Sequence, residues 1–425
     1  MSPLRRLIHR QRQGRVISVA ITGAGFIGRG MVYQVDQTCG MRTALIVNRT
    51  VERAVEAYAL AGRKRADIVV SDDFGTLQSA VTAGRPAVTS RAEMLRDLAG
   101  LDVVVEVTGA VEYGARVALY AIEGGKHIVM MNAETDATVG CALKHRADEA
   151  GVVYTNSDGD QPGVLKRLCE YVAGMGLELV AAVNCKGFMD VQATPETIRP
   201  WAEKQNTSLV MTTAFTDGTK MNIENAVLAN ATGLLPDVRG MHGVATTCEH
   251  ALRDCLATFR RSGVVDYTLG GDFGGGVFVI GRGDHPTMVR PYMQYLKMGA
   301  GPYYLFFRPY HLCHFETPLT IAEAVLDHEP TIAPLGRPRV EVVTMAKDDL
   351  RPGDVLDGIG GYTCYGEIDD LANAAGLLPM GLAHGAQVTC PVGRGCPIPL
   401  EAVDLGQDSL LMKLRGHQDL LADAA

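Results

Sequence analysis

The chain has 425 residues, a formal net charge of −8, 47% apolar residues and 21% charged residues. This length exceeds one ordinary hydrophobic core, so we expect two or three domains in a soluble globular protein. The acidic balance argues against a general nucleic-acid-binding protein, and no apolar run is long enough to cross a bilayer.

The first residues, MSPLRRLIHRQRQGR, are basic but lack the apolar segment of a secretory signal. We expect them to form a short solvated extension before the first strand. Ten cysteines are scattered along the chain and no C-x-x-C pair occurs. This pattern favours reduced thiols in a cytoplasmic enzyme.

Strand-like and helix-like segments alternate in the first third of the chain. The strand-like segments are RVISVAITG, RTALIVN, LDVVVEVTG and KHIVMMN. The helix-like segments are FIGRGMVYQVDQ, VERAVEAYALAG, VEYGARVALYAIEGG and TDATVGCALKHRADEAG. Because strands apolar on both faces alternate with amphipathic helices, the pattern predicts a parallel sheet with helices on both sides.

The segment ITGAGFIGRG follows the first predicted strand and opens the first predicted helix. Its glycines form a G-x-G-x-x-G pattern in the strand–turn–helix context of a dinucleotide-binding turn. Gly23 permits the tight turn, Gly25 lets the backbone approach a pyrophosphate, and Gly28 lets the helix lie close to the sheet. The first helical amides then face the phosphates. The candidate cofactor-binding residues of this turn are Gly23, Gly25, Phe26, Ile27 and Gly28.

The residues after the second predicted strand indicate which nucleotide binds. An NAD-binding turn usually carries Asp or Glu about 20 residues after the glycines, where it accepts hydrogen bonds from the ribose. Here Asn48 and Arg49 stand at that place, and an arginine can pair with a 2′-phosphate. We therefore expect NADP(H) as the cofactor. The alternative for Arg49 is a solvated loop residue.

Two later strands end in polar residues that are candidates for the nicotinamide end of the cofactor. LDVVVEVTG ends in Thr108 and Gly109 after Glu106, and KHIVMMN ends in Asn132. The carboxyl ends of parallel strands meet at the ligand-binding edge of such a sheet. With its V-x-x-T-G turn and K-H-I-V strand, this region resembles the nucleotide domain of homoserine dehydrogenases.

Beyond Gly163 the pattern changes. GVLKRLCEYVAGMG predicts a helix, and LELVAAVNCKGFMD predicts a strand that ends in Lys186. TSLVMTTAFTDGTKMNIENAVLANATGL predicts a strand that turns into a helix, which Asp217 can cap. Lys220 and Glu224 stand four residues apart on one face of that helix. An ordinary surface salt bridge is the alternative to a catalytic role for this pair.

Nearly the whole chain resembles the DXR-like reductoisomerases, relatives of homoserine dehydrogenase that convert 1-deoxy-D-xylulose 5-phosphate to 2-C-methyl-D-erythritol 4-phosphate. The segments that carry the resemblance are GAGFIGRG, NSDGDQPG, NCKGF, TDGTKMNIENA and GPYYLFFRPYHLCHFETP. The resemblance implies an NADPH-dependent reductoisomerase of isoprenoid precursor synthesis. It also implies a cytoplasmic homodimer or higher homo-oligomer.

The resemblance further implies a domain order. Residues 1–160 would form a Rossmann-type nucleotide domain, completed by about 316–330, and residues 161–315 an α+β catalytic and oligomerisation domain. VVTMAKDDLRPGDVLDGIGGYTCYGEI resembles the start of a SAF-type module, so residues 340–425 would form a small, β-rich C-terminal domain. The expected fold class is α/β with these two additions.

The implied rearrangement needs a group that stabilises an enolate, a base for a hydroxyl group and a hydride donor. Buried lysines supply cationic stabilisation and proton transfer, which makes Lys186 and Lys220 the candidates. Asp158, Asp160 and Glu224 are candidate ligands of a Mg²⁺ or Mn²⁺ ion, and the last two are also candidate catalytic groups. The alternative for the SDGD segment is a turn.

A phosphorylated substrate also needs a cationic site. LFFRPYHLCH supplies Arg308, His311 and His314 beside aromatic residues, and arginine with histidine can bind phosphate. The alternative is a packing segment whose histidines are satisfied by the protein itself. Under the first interpretation the partner of this chain is a small sugar phosphate, with no nucleic acid and no membrane.

Two other functions are compatible with these residues. One is a homoserine-dehydrogenase-like NAD(P)-dependent dehydrogenase of a small hydroxy acid, amino acid or sugar derivative, without rearrangement. The other is a non-catalytic NADPH sensor or carbohydrate-binding protein. The pair formed by Lys186 and Lys220 argues against a pure sensor.

Overall fold

The computed structural model describes residues 3–205, 207–406 and 409–423, which form two compact units. The first unit contains the chain up to Asp160, the segment Leu312–Gly336 and the C-terminal helix. The second unit contains Gln161–His311 and Arg337–Ser409. Each unit is therefore built from more than one stretch of the chain.

The first unit is organised around a seven-stranded sheet with the order β3-β4-β2-β1-β5-β6-β7. All neighbouring strands are parallel, and the order reverses between β1 and β5. In open α/β sheets ligands bind at the carboxyl ends of the strands beside such a reversal. The strands are β1 (Ile17–Thr22), β2 (Met41–Val47), β3 (Val69–Val70), β4 (Ala87–Thr89), β5 (Val103–Glu106), β6 (His127–Met130) and β7 (Tyr154–Asn156).

Helices connect these strands, as the alternating pattern predicts for a Rossmann-type domain. The side chains of β1 are buried along its whole length because the sheet is covered on both faces. The structure confirms the predicted fold class. The helices are α1 (Pro3–Arg12), α2 (Phe26–Gln37), α3 (Val51–Leu60), α4 (Phe74–Thr82), α5 (Met94–Asp97), α6 (Val111–Glu123) and α7 (Ala133–Glu149).

The N-terminal segment differs from the solvated extension that its basic composition predicts. It forms helix α1, whose Leu7 is only 3% exposed and lies in the same apolar cluster as Ile17 and Met31. Arg6 of this helix forms an ion pair with Asp327. The prediction failed because one apolar position is enough to anchor a short helix when charged side chains occupy its outer face.

The second unit contains a six-stranded mixed sheet. Its path is β10-β11-β8-β12-β13, and β9 pairs with β11. The central strand β8 is parallel to β11 and antiparallel to β12. The strands are β8 (Glu178–Lys186), β9 (Leu235–Pro236), β10 (Val244–Ala245), β11 (Val264–Leu269), β12 (Val277–Arg282) and β13 (Tyr303–Arg308).

The helices of this unit include one that sequence analysis predicts as a strand. Leu209–Thr216, within TSLVMTTAF, is helical. The hydroxyl groups of Thr213 and Thr216 donate to the carbonyl groups four residues earlier, at 2.8 and 2.9 Å, which lets β-branched residues fit a helix. The helices are α8 (Gln161–Gly174), α9 (Pro195–Gln205), α10 (Leu209–Thr216), α11 (Thr219–Thr232), α12 (Ala251–Thr258) and α13 (Arg290–Tyr295).

The C-terminal third divides between the two units. Residues 340–404 belong to the second unit, and within it the strand β15 contacts helix α11. The long pair β14–β15 and the short pair β16–β17 are antiparallel. The strands are β14 (Val340–Ala346), β15 (Cys364–Asp370), β16 (Gln387–Val388) and β17 (Val403–Asp404). The likeness of this segment to a SAF-type module stays a prediction.

Two helices return to the first unit. Helix α14 (Cys313–Asp327) contacts α2, and helix α15 (Leu410–Asp423) contacts α6 and α7. Helices α14 and α2 approach each other closely: a Cβ atom on Gly30 of α2 would overlap the ring of His314 of α14. Residues 410–423, which sequence analysis assigned to the C-terminal module, therefore lie on the nucleotide-binding unit.

Helix α15 compensates for a break in helix α7. Val139 has non-helical backbone angles (φ −139°, ψ 16°), which interrupt the hydrogen-bond ladder of α7. The side chain of Gln418 accepts from the backbone N–H of Cys141 at 3.1 Å and donates to the carbonyl of Thr138 at 3.1 Å. Gln418 is 2% exposed, so the break is satisfied by protein rather than by solvent.

Candidate functional site

The glycine turn between β1 and α2 has the backbone geometry that a dinucleotide-binding turn requires. Gly23 has φ +99°, a left-handed conformation that glycine adopts without strain. A Cβ atom on Gly28 would overlap the carbonyl oxygen of Gly23. Only glycine at this position lets α2 start against the end of β1.

The first turn of α2 is open to a ligand. A Cβ atom on Gly25 would have no atom within 4 Å, and Gly25 makes no side-chain cap for the helix. The N–H groups of a first helical turn, here those of Phe26, Ile27 and Gly28, have no acceptor within the helix. They can therefore bind the pyrophosphate of a nicotinamide dinucleotide, so the turn fits such a cofactor.

Asn48 and Arg49 follow β2, the strand next to β1. The Asn48 side chain accepts from the N–H of Ala24 at 3.0 Å and donates to the carbonyl of Thr50 at 2.6 Å. Asn48 thus fixes the glycine turn. Arg49 is exposed, and within the described residues it makes no hydrogen bond or ion pair. Its guanidinium is therefore available to an anionic group at the end of β2.

A buried carboxyl group organises the ends of β5 and β6. Glu106 is fully buried and accepts from the N–H of Thr108 at 2.9 Å and from the amide of Asn132 at 2.7 Å. Desolvation raises the pKa of Glu106 to about 7, although these hydrogen bonds oppose the shift. Asn132 also accepts from the N–H of Thr135 and so caps α7. Gly109, with φ +71°, continues the turn after Thr108.

Lys186 ends the central strand β8 of the second unit. Its ammonium lies 5.2 Å from the centre of the Phe215 ring. Burial lowers the pKa of Lys186, while the carboxyl groups of Glu224 and Asp217 act in the opposite direction. These interactions place Lys186 close to the start of α11.

Lys220 and Glu224 lie on α11 and form an ion pair with an N–O distance of 3.8 Å. The side chains are 6% and 4% exposed. The alternative of a surface salt bridge is therefore wrong for this pair. The structure brings the half-buried Lys186 into one charged cluster with the buried pair of Lys220 and Glu224, and a buried charge of this kind needs a partner or a function.

A second buried ion pair adjoins this cluster and escaped sequence analysis. The ammonium of Lys347 lies 2.7 Å from the carboxylate of Asp217, and the side chains are 3% and 0% exposed. Asp217 also accepts from the N–H of Thr219 at 2.9 Å, which places it beside the first residue of α11. Lys347 carried no sequence signal because 130 positions separate it from Asp217.

Asn184 is a further residue that the motifs did not single out. It is fully buried on β8, two residues before Lys186, and its side-chain oxygen and nitrogen have no hydrogen-bond partner among the described residues. Residues two apart on a strand share a face, so Asn184 and Lys186 point to the same side of the sheet. A polar residue inside the apolar run LVAAVNCK is the signal that could have identified it.

The predicted metal ligands do not form a site. Among the described residues no group of three His, Cys, Asp or Glu side chains is arranged to hold a metal ion. Asp158 and Asp160 belong to the first unit, whereas Glu224 belongs to the second. Asp158 is buried and accepts from the N–H of Gly159 at 3.0 Å, as expected for a turn. The residues present do not fit a divalent ion.

The three candidates for phosphate binding have different local contacts. The guanidinium of Arg308 lies 5.0 Å from the centre of the Tyr310 ring. His311 lies 2.8 Å from the carbonyl of Gly275 through Nδ1, so a neutral ring presents Nε2 only as an acceptor. His314 belongs to the other unit, where it stacks on Phe315. The buried Nδ1 of His314 has no hydrogen-bond partner among the described residues, so neither interpretation of this histidine is settled by its contacts.

Two remaining expectations concern membranes and disulfides. Within residues 3–205, 207–406 and 409–423 no helix has the length and apolar content that a bilayer span requires. All cysteines lie in these ranges, and none of them forms a disulfide bond.

Two family models match different parts of the chain. Residues 23–155 match the NAD-binding domain of homoserine dehydrogenase, and residues 159–317 match the catalytic domain of oxidoreductase DRL. The protein is therefore an oxidoreductase with a homoserine-dehydrogenase-like domain for a nicotinamide cofactor and a DRL catalytic domain. Among curated proteins no sequence matches the chain.

Several solved dehydrogenase structures are similar at low identity. A probable dehydrogenase from Thermotoga maritima is 12% identical, with a TM-score of 0.43 and coverage of 74% of this chain and 90% of that one. A putative myo-inositol dehydrogenase from Sinorhizobium meliloti 1021 is 13% identical, with a TM-score of 0.38 and coverage of 72% and 86%. UDP-N-acetylglucosamine 3-dehydrogenase GnnA from Acidithiobacillus ferrooxidans is 12% identical, with a TM-score of 0.39 and coverage of 75% and 91%. Scores at this level carry no argument about substrate.

Proposed function

We propose that this protein is an NADPH-dependent dehydrogenase that interconverts a carbonyl group and an alcohol on a small polar metabolite. The observation that carries the proposal is the charged cluster of Lys186, Lys220 and Glu224 in the DRL catalytic domain. Two ammonium groups and one carboxylate leave an excess of positive charge, which suits a substrate oxygen that becomes negative during hydride transfer.

The lysines have distinct roles in this proposal. Bound NADPH supplies the hydride. Because burial lowers the pKa of Lys186, this lysine gives up its proton more readily than an exposed lysine, so it can protonate the carbonyl oxygen and take the proton back from the alcohol. Lys220, held by Glu224 at 3.8 Å, stays oriented and stabilises the oxyanion. No step uses a metal ion.

The proposed cofactor preference is for NADP(H) over NAD(H). It is supported by the exposed Arg49 after β2 and by the asparagine, Asn48, where a ribose-binding carboxylate would otherwise stand. A neutral amide at this position does not repel a 2′-phosphate.

The second candidate is reduction coupled to rearrangement of 1-deoxy-D-xylulose 5-phosphate. It is supported by the two lysines beside one carboxylate, since an enolate needs cationic stabilisation in addition to a proton donor. Arg308 is the proposed phosphate ligand in this case. The assembly of the chain as a homodimer or higher homo-oligomer also stays a prediction.

One experiment tests the proposal and separates the two candidates. Purified protein is mixed with NADPH and either 1-deoxy-D-xylulose 5-phosphate or aspartate semialdehyde, and NADPH consumption is measured. Product NMR then shows whether the carbon skeleton has changed. We expect Lys186→Met and Lys220→Met each to lower kcat by about 100-fold or more, the usual contribution of a positioned proton donor.

The control for this experiment is Lys144→Met, which removes an exposed ion pair with Asp148 in the other unit. It should leave kcat unchanged, and all three variants should bind NADPH as the wild type does. Wild-type kcat in either cluster variant would disprove the assigned roles. NADPH binding without consumption of either substrate would favour a sensor.

A further inference from the structure

Lys347 lies in a part of the chain to which the proposed function assigns no role. It directly follows strand β14, in the segment that enters the second unit after Gly336. Its side chain nevertheless reaches Asp217, which directly precedes the turn into α11. The pair therefore connects residues 340–404 to the helix that carries Lys220.

The ammonium of Lys347 is fully used by protein acceptors. It donates to the carboxylate of Asp217 at 2.7 Å and to the carbonyl groups of Ala193 and Gly361, both at 2.8 Å. An ammonium has three N–H donors, so none is left for another ligand. Because all three donors bind protein acceptors, the ammonium of Lys347 does not act on a substrate directly.

Asp217 lies between Lys347 and the start of α11 and makes a hydrogen bond to each. One carboxylate oxygen faces Lys347, and the other accepts from the N–H of Thr219 at 2.9 Å, at the first residue of α11. The negative charge of Asp217 also acts on Lys186. Burial raises the pKa of Asp217, and the charge and hydrogen bond of Lys347 oppose that shift, so the ionised form of this completely buried residue depends on Lys347.

The groups that act on Lys186 come from two helices. Phe215 belongs to α10 and presents its ring, Glu224 belongs to α11, and Asp217 lies between the two helices. Of the two carboxylates, Glu224 already pairs with Lys220. The ionisation of Asp217 is therefore the part of this environment that Lys347 controls.

We propose that Lys347 is a positioning residue for the lysine cluster: it holds Asp217 as a carboxylate that orders the start of α11 and stabilises the ammonium form of Lys186. The inference rests on the proposed function of Lys186, but its physical content is independent of the substrate. It gives residues 340–404 a direct part in the chemistry of the second unit.

The test measures the protonation of Lys186 without any substrate. Full-length protein labelled with [ε-¹³C]lysine is titrated by NMR, and the Lys186 signal is identified by its loss in Lys186→Arg. We expect the Lys186 midpoint to move to lower pH in Lys347→Met and in Asp217→Asn. Lys347→Arg, which keeps the charge, should restore a midpoint near that of the wild type. Lys144→Met should not move it.

Lys347→Met leaves a buried carboxylate unpaired and can prevent folding. The double variant Asp217→Asn/Lys347→Met removes both charges, and its Lys186 midpoint should equal that of Asp217→Asn alone. If Lys186 titrates with the wild-type midpoint in a folded single or double variant, the proposal is overturned. Lys347 would then contribute only to stability, even where the thermal stability of the variant is lowered. Failure of the proposed function would appear separately: the protein would not consume NADPH, while the Lys186 midpoints of the variants would still shift as expected.

Discussion

Burial is the largest influence on the pKa of several single residues in this protein. Glu106 and Asp136 are buried carboxyl groups in the first unit, and desolvation raises their pKa values to about 7 and about 6. The pKa of Lys186 in the second unit is shifted in the opposite direction, since burial lowers the pKa of a cationic group. Such groups make both stability and activity depend on pH.

Stability of the first unit should fall as pH rises between about 4.5 and 7. The unfolded chain loses the Glu106 proton near 4.5 and the folded chain near 7, so the folded state binds more protons in this window. The free energy of unfolding contributed by this group is retained below pH 4.5 and lost as pH passes 7, with an upper limit of about 3 kcal/mol.

Urea unfolding of wild type and Glu106→Gln at several pH values measures this effect. In the variant the free energy of unfolding should fall less steeply with rising pH, and the decrease that remains should be due to Asp136. Glu112→Gln, which changes an exposed carboxylate paired with Arg116, is the control and should keep the wild-type slope. An unchanged slope in Glu106→Gln would contradict the assignment.

Arg49 should determine the choice of nicotinamide cofactor. Arg49→Asp replaces an exposed cation after β2 by a carboxylate, which repels a 2′-phosphate and can accept from ribose hydroxyl groups. We expect the Kd for NADPH to rise by about tenfold or more, as for loss of one charge-assisted contact. The Kd for NADH should fall or remain unchanged. Fluorescence titration measures both constants. Equal NADPH affinity in variant and wild type would show that Arg49 is only a solvated residue.

At the scale of elements, the glycines have different roles in the segment that contains β1, the glycine turn and α2. Gly28 is required by packing, because a Cβ atom would overlap the Gly23 carbonyl, while Gly25 faces open space with φ −75°. The same motif therefore contains a position that supports the fold and a position that remains accessible to a ligand.

Alanine substitutions should separate these tasks. Gly28→Ala should lower the free energy of unfolding by about 1–3 kcal/mol, the usual cost of overpacking, and so also impair cofactor binding. Gly25→Ala should fold with near wild-type stability but weaken NADPH binding, because its methyl group occupies the path of the pyrophosphate. Thermal unfolding and NADPH titration of both variants test this. Equal losses of stability would refute the distinction.

The predictability of the elements follows from where their signals lie. Strands β1, β2 and β5 and helices α2 and α6 were predicted because apolar residues recur at one period within each segment. Helix α10 was missed because its β-branched residues favour a strand locally, and the hydroxyl bonds of Thr213 to the Leu209 carbonyl form only in the helix.

At the scale of the whole molecule, distant parts of the sequence complete the same structures. The glycine turn and Lys220 were predictable because their spacing is local. The contacts of Lys347 with Asp217 and of Gln418 with Cys141 join residues 130 and 277 positions apart, and no period or motif relates them. Such pairs are determined by packing of the whole chain.

The contribution of Gln418 is measurable. Gln418→Ala removes the hydrogen bonds of this side chain to the N–H of Cys141 and the carbonyl of Thr138 at the break in α7. We expect a decrease of about 2 kcal/mol or more in the free energy of unfolding, since each buried unsatisfied group costs about 1–3 kcal/mol. Glu149→Gln, which removes an exposed ion pair with His145 on the same helix, should cost less than about 0.5 kcal/mol. A variant as stable as this control would disprove the role of Gln418.

The return of α14 and α15 to the first unit has a consequence for biosynthesis. Translation proceeds from the N-terminus, yet α7 obtains its last backbone partners only from Leu410–Asp423. The catalytic unit, which ends before this helix, can acquire all its strands while the ribosome is still adding residues. The first unit is thus completed after the second, although all strands of its seven-stranded sheet precede Asp160: the surfaces of α2, α6 and α7 that α14 and α15 cover stay exposed on the growing chain until these two helices have been made.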